Sequence, residues 1–406
     1  MKRTQIIRSI IQKTAAGTAA LAIFFFGTAF FLQQQIPENF YVSPGEELSF
    51  ASLSCLKSGA PISYDQTSLA GKSLGASEQV TVRLFGVFPI TQTRVSIKAH
   101  ETVTPGGTLF GIKLFTKGVL VIDTAAVETP DGTVRPAAEA GIQKGDTILT
   151  INGTEVFTNE EVATLFSSGA SSYEISYSRD DTVYHTTLQP AKALDGTYKG
   201  GLWVRDSTAG IGTVSYYKSE GNAFGGLGHG INDSDTGLLM PLSAGQICPV
   251  HLSGIQKGVA GSPGELKGSF SSNTPCGTLS QNTQAGVFGK IADEVLSKTP
   301  KTEVLHKQEV KPGDAVIRCT LGNDGVQEYR IRIDEINMNE QALTKNMVIT
   351  VTDEALLART GGIVQGMSGS PILQEGKLVG AVTHVFVNNP TRGYGIFIEN
   401  MLKTAK

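Results

Sequence analysis

The sequence predicts a mainly β chain carried on an apolar amino-terminal helix, and three observations predict it. Glycine supplies 47 of the 406 residues, more than the usual ~7%, as expected for many tight turns between short strands. Alternating apolar runs bounded by Gly, Ser and Pro recur along the chain, as in Gln79-Val80-Thr81-Val82-Arg83-Leu84-Phe85. No residue from Ala15 to Leu32 is charged.

The length exceeds what one hydrophobic core usually organises, so two folded domains with extra segments are expected. Hydrophobic residues at 40% and charged residues at 17% suffice for packed cores and exclude a disordered chain. The net charge of −3 comes from 34 basic and 37 acidic residues without a long run of either sign beyond the amino terminus, which excludes nucleic acid as a partner. Cys55, Cys248, Cys276 and Cys319 lack the spacing of a zinc site, so neither a metal nor another cofactor is expected. A Cys248–Cys276 disulfide and free buried thiols are both compatible with the spacing.

Lys2, Arg3, Arg8 and Lys13 precede the uncharged stretch. Eighteen residues rise about 27 Å as a helix, close to the ~30 Å of a bilayer core, and the basic flank stays on the cytoplasmic side. Residues 1–35 therefore read as a cytoplasmic segment and transmembrane anchor, with membrane contact through residues 15–32 and everything beyond exported. Large residues where a cleavage site would lie, Thr28-Ala29-Phe30-Phe31-Leu32-Gln33, favour an uncleaved anchor over a signal peptide. Residues 36–102 read as a tether with some strand structure.

The middle of the chain holds a dense set of turn signals. Ala137 to Ala140 start a short helix that Gly141 ends, Lys144-Gly145-Asp146 turns, and Ile148 to Ile151 form a strand closed by Asn152-Gly153. Glu160 to Ser167 follow as a second helix and Tyr173 to Tyr177 as a further strand. This stretch resembles the PDZ domains of bacterial proteases, and the resemblance covers residues 103–195. In such domains a loop binds a peptide carboxylate through backbone N–H groups while the peptide adds a strand to the sheet edge. The matching residues here are Leu109, Phe110, Gly111 and Ile112; a bulge in a strand is the plainer alternative for Gly111.

Two glycine-rich loops carry the chemistry. In Gly366-Met367-Ser368-Gly369-Ser370-Pro371 a hydroxyl sits on a tight turn, as attack on a carbonyl requires. The run is similar to the nucleophile loop of chymotrypsin-like peptidases, which implies that Ser368 attacks and that the N–H groups of Gly366 and Ser368 form the oxyanion hole. In Gly225-Gly226-Leu227-Gly228-His229-Gly230-Ile231 the imidazole stands in an uncrowded turn suited to a general base. His384, in a strand just after the serine loop, is the alternative base.

These two loops together, behind a PDZ module and an anchor, resemble the stage IV sporulation protein B (SpoIVB) peptidases over nearly the whole chain. The resemblance extends to Gly380-Ala381-Val382-Thr383-His384-Val385-Phe386-Val387 and Gly393-Tyr394-Gly395. It implies a sporulation serine endopeptidase, membrane-anchored and facing the space between forespore and mother cell. Such an enzyme cuts membrane-bound sporulation regulators, and so activates a late sigma factor. The resemblance also implies Asp353, fifteen residues before Ser368, as the triad acid. The residues themselves leave Asp334, Asp314, Asp233 and Asp235 as rivals and allow Asp353 to be a helix N-cap. The order His229, Asp353, Ser368 and the short strands from Leu202 onward agree with a chymotrypsin-like double β-barrel over residues 199–406.

Two further expectations attach to this reading. The tether is accessible to cutting, so the chain's own amino-terminal segment is an expected substrate, with self-cleavage as a route to release. A non-catalytic PDZ adaptor is the alternative function, and Lys377 as base is an alternative mechanism. No His-Glu-x-x-His occurs, which excludes a zinc metalloprotease of that kind.

Overall fold

In the computed structural model the described residues are 2–44, 62–64, 72–272, 274–292 and 300–405. Helix α1 (Lys2–Gln35) includes one stretch long and apolar enough to cross a membrane, Lys13–Gln34, of which only 6% is buried. So little burial excludes a core helix. The expected tether is partly folded. Asn39–Val42, Phe88–Ile97, Ser77–Leu84 and Ile62–Tyr64 form a small sheet in that order, over a core that includes Phe40, Val82 and Val95. Residues 45–61, with Cys55, and 65–71 of the tether lie outside the described residues.

The rest of the chain builds two six-stranded antiparallel barrels and a PDZ-type module. In the first barrel Leu109–Thr124, Leu242–Cys248, Gly277–Thr283, Gly286–Ile291, Ala223–Gly226 and Leu202–Lys218 follow one another. The ring closes where Leu202–Lys218 pairs back onto Leu109–Thr124. Phe110, Ile112, Leu114, Val214, Phe224 and Ile247 fill its interior. The second barrel runs Gly313–Thr320, Val326–Ile336, Met347–Val351, Asn389–Phe397, Lys377–Phe386 and Pro371–Gln374, around Ile317, Ile331, Ile349, Ile372 and Val382. Helix α5 (Ile398–Thr404) covers one side of it, through Ile398 and Met401.

Local signals account for the PDZ module. Helix α2 (Pro136–Glu139) starts with a proline in its first turn, where the missing N–H costs nothing. Asn152 and Gly153 both take positive φ, the geometry of a tight hairpin turn between Ile151 and Thr154. Helix α3 (Asn159–Ser167) begins with a reciprocal capping box between Thr158 and Glu161. Buried Asp146 is held by Arg179 through two hydrogen bonds of 2.6 and 2.7 Å and by the Gln143 N–H.

The expected boundary between a PDZ domain at 103–195 and a catalytic domain from 199 does not divide the structure. Leu109–Thr124 begins inside the first barrel and ends in the PDZ sheet, where Val119 and Leu120 pair with Ile148 and Thr147. Leu202–Lys218 accompanies it along its whole length, from Leu202 opposite Thr124 to Thr213 opposite Leu109. The PDZ module is thus an insertion between two adjacent strands of the first barrel.

Candidate active site

Ser368 stands on the loop between helix α4 (Glu354–Thr360) and the strand Pro371–Gln374. Buried Met367 anchors the loop in the second barrel's core, and a bond from Ser370 N–H to the Met367 carbonyl tightens it. Gly369 has φ of +95°, and a Cβ there would lie 2.0 Å from the Thr213 carbonyl, so only glycine lets the first barrel approach this closely. Thr213 clamps the loop. Its N–H donates to the Ser368 carbonyl at 2.9 Å and its hydroxyl to the Gly366 carbonyl at 2.8 Å. Sequence reasoning missed Thr213, because nothing in Gly210-Ile211-Gly212-Thr213 reveals a partner 153 residues away.

With both carbonyls held, the amides of Gly366 and Ser368 are left over. Among the described residues no acceptor takes either N–H. Two unpaired amides flanking a serine are what an oxyanion requires. The Ser368 hydroxyl itself donates to the Thr383 carbonyl at 2.8 Å.

His229 comes from the first barrel, three residues after the strand Ala223–Gly226. Its Nδ1 lies 2.8 Å from the Gly230 carbonyl. A carbonyl only accepts, so Nδ1 carries the proton and Nε2 keeps the lone pair, the tautomer a general base needs. Burial lowers its pKa below the ordinary value, and the Gly230 bond offsets that only in part. The His384 ring packs on it with centroids 4.9 Å apart and planes 35° from parallel. Desolvation, with the neighbouring His229 and Lys345, brings His384 down to about 4. His229, His384, Thr383 and Ser368 share one groove of about 570 Å³, walled on the first barrel by Thr208–Ile211 and on the second by Ile363–Gly366.

The expected acids stay outside this groove. The Asp353 carboxylate accepts from Leu356 N–H at 3.0 Å and Arg330 N–H at 3.3 Å, with the Arg330 guanidinium 3.6 Å away. Partial burial pushes its pKa up, but the N–H donors of Leu356, Arg330 and Ala355 outweigh this and leave it below the carboxylate norm. It is the N-cap of α4, the role that Thr352-Asp353-Glu354 also permits. Asp334 is held by Thr350 and Arg332, Asp233 and Asp235 by Arg205, and Asp314 is exposed. Among the described residues no carboxylate lines the groove. Lys377 pairs with Glu303 instead, at 2.9 Å.

The expected peptide-binding loop is corrected outright. Leu109, Phe110, Gly111 and Ile112 are buried in a barrel strand paired on both edges, Gly111 with Ile211 on one side and Cys248 on the other. The run is apolar on both faces because Phe110 and Ile112 point into the barrel while the Phe270 ring covers Gly111. The run is a barrel strand and not a loop, so it does not form the carboxylate-binding turn expected of it. A second groove, of about 690 Å³, lies between α3 and the segment Tyr198–Val204. Cys248 and Cys276 are free thiols.

A family model described as SpoIVB peptidase S55 matches residues 196–402, and one described as a PDZ domain matches residues 135–174. Among solved structures the chain is similar to the PDZ domain of an SdrC-like protein from Listeria monocytogenes. The identity is 23% over 22% of this chain and 87% of that one, with a TM-score of 0.18. It is similar also to an HtrA-type protease solved with a decapeptide, at 11% identity over 73% of this chain and 61% of that one, with a TM-score of 0.29. No curated protein matches.

Proposed function

The chain belongs to the SpoIVB peptidase S55 family, a family of serine peptidases, and from that premise we propose a membrane-anchored endopeptidase with Ser368 as nucleophile and His229 as base. The observation that carries this reading is the groove in which each barrel supplies one of the two residues, with the free amides of Gly366 and Ser368 beside the hydroxyl. The Ser368 hydroxyl leaves the Thr383 carbonyl and passes its proton to Nε2 of His229 as Oγ attacks the scissile carbonyl. The two amides hold the oxyanion, and His229 then protonates the leaving amine. Water, activated by the same imidazole, releases the acyl group from Ser368. The Gly230 carbonyl keeps the base in the working tautomer throughout.

For Asp353 we propose a positioning role. It caps α4, which runs directly into residues 361–368 and so sets where Ser368 stands. Asp353→Asn keeps a capping oxygen and is expected to retain kcat/KM within a few-fold. Asp353→Ala loses the cap and is expected to cost about 1 kcal/mol of stability. Activity assays alongside thermal melts separate the roles: a loss of several orders of magnitude in the Asn variant would make Asp353 the triad acid.

Family membership and the amino-terminal helix support the wider reading. The peptidase faces the space between forespore and mother cell and cuts membrane-bound sporulation regulators as a signal to the mother cell. The segment between α1 and the folded core is proposed as a second substrate, cut by the enzyme itself. Two measurements test this. A fluorophosphonate probe applied to the detergent-solubilised full chain should label Ser368, whereas a non-catalytic adaptor would stay unlabelled. Expression of the wild type should yield a shortened soluble form, and Ser368→Ala should accumulate as the full-length membrane species. Equal shortening of both would assign the cut to another protease.

A further inference from the structure

The groove between α3 and Tyr198–Val204 has the parts of a peptide site. Among the described residues no acceptor takes the N–H of Gly200 or Gly201. Gly201 has φ of +68°, and a Cβ there would lie 2.6 Å from the Ala125 carbonyl, so the turn needs glycine. Phe166, near the end of α3, packs against Gly200, while Asn159 at its start donates to Asp206. Helix and strand therefore run in opposite directions along the groove, with the free amides at the strand's beginning. A terminal carboxylate fits those amides.

The strand that starts there continues to the active site. Leu202–Lys218 pairs with Leu109–Thr124 on one edge, and among the described residues its other edge is unpaired by any strand until Val214 meets Gly226. Amides alternate between the two edges of a strand. Val214 N–H points to Thr108 on the paired side, and Thr213 N–H, on the open side, donates to the Ser368 carbonyl. The open edge thus ends at the nucleophile. The same strand lines both grooves, through Leu202–Val204 in one and Thr208–Ile211 in the other.

The geometry points to a molecular ruler: the extended carboxyl-terminal segment of a protein substrate pairs antiparallel with Leu202–Ile211, its free carboxylate at Gly200–Gly201, and is cut at a fixed distance from its end. This rests on the peptidase reading and adds the substrate class, an unstructured chain terminus. The polarity is forced. A peptide whose last residue sits at the start of the strand must run toward Ser368 as it is followed backward, so the residues after the scissile bond occupy the ruler. Ten strand residues span about 30 Å at ~3.3 Å each. The two register shifts in this stretch, of one and three residues, carry their extra residues on Leu109–Thr124, so the open edge keeps about this length. Water adds across the peptide bond about eight to twelve residues from the carboxyl end. The upstream product gains a carboxylate, and the short fragment with the new amine stays on the strand until it dissociates.

A pool of 24-residue peptides of randomised sequence, with free or amidated carboxyl ends, is offered to the detergent-solubilised full chain, and fragment lengths are read by mass spectrometry. With free ends, carboxyl-terminal fragments of eight to twelve residues should dominate. Amidation should lower cleavage about tenfold and erase the length preference. Ala163→Trp, which fills the groove from the exposed face of α3, should do the same to the free pool, with circular dichroism confirming that the variant is folded. Identical length distributions for free and amidated pools, from an enzyme whose Ser368 takes the fluorophosphonate label, would overturn the ruler alone. Absence of both labelling and cleavage would overturn the peptidase reading, and the ruler with it.

Discussion

Ser368→Ala is expected to abolish peptide-bond hydrolysis, with a fall of about 10⁶-fold as for nucleophile removal in other serine peptidases, while the folded chain persists. The hydroxyl's one hydrogen bond runs to the Thr383 carbonyl, which lies at the groove. The loop is held by other contacts, namely Thr213, Met367 and the Gly369 N–H bond to Val382. Ser370→Ala is the matched control. Its side chain is fully buried and its hydroxyl has no partner among the described residues, so removing the oxygen relieves an unsatisfied polar group and is expected to leave turnover within a few-fold. Single-turnover assays on a labelled peptide pool, with circular dichroism of each variant, check both. A dead Ser370 variant beside an active Ser368 variant would move the nucleophile two residues along the chain.

His229→Ala should be nearly as severe, because it removes the imidazole whose Nε2 the Gly230 carbonyl leaves free as an acceptor. A loss of about 10⁴-fold or more is expected. A comparable loss in His384→Ala, with His229→Ala active, would move the base to the second ring of the groove. The pH profile carries a finer prediction. Burial lowers the pKa of His229, so the neutral, basic form survives below the ordinary histidine value. Activity is retained as the pH falls through 6.5 and is lost only at the depressed pKa of the folded enzyme. The acid limb of kcat/KM should therefore have its midpoint below 6.5. A midpoint above 6.5 would require a carboxylate partner for the imidazole, which no described residue lining the groove supplies.

Much of this was legible in the sequence because the signals are local. Asn152-Gly153 specifies its turn wherever it is placed, Thr158 and Glu161 cap a helix three residues apart, and the glycines around Ser368 and His229 announce tight loops. The strand Leu109–Ile112 was not legible as a barrel strand. Its partners, Ile211 and Cys248, lie 100 and 137 residues beyond Gly111, and an apolar run around a glycine reads the same in a binding loop as in a doubly buried strand. Asp353 illustrates a different limit. The residue that makes a good N-cap also makes a good triad acid, and only the positions of Arg330 and Leu356 decide between them. Thr213 left no trace, since its role comes from meeting a loop of the other barrel.

The insertion of the PDZ module between two neighbouring barrel strands also bears on the order in which the molecule is expected to fold. Residues 125–201 separate the partners Thr124 and Leu202, and closing a flexible loop of that length costs about 4 kcal/mol in chain entropy. A finished PDZ module removes that cost, because it delivers the two strand ends side by side. The first barrel is then expected to nucleate on a preformed hairpin stem, with the clamp from Thr213 to the Ser368 loop following it. A newly made chain would accordingly stay inert until its PDZ module is folded. Destabilising substitutions in that module, such as loss of the Arg179–Asp146 pair, would therefore delay the onset of activity far from the groove itself.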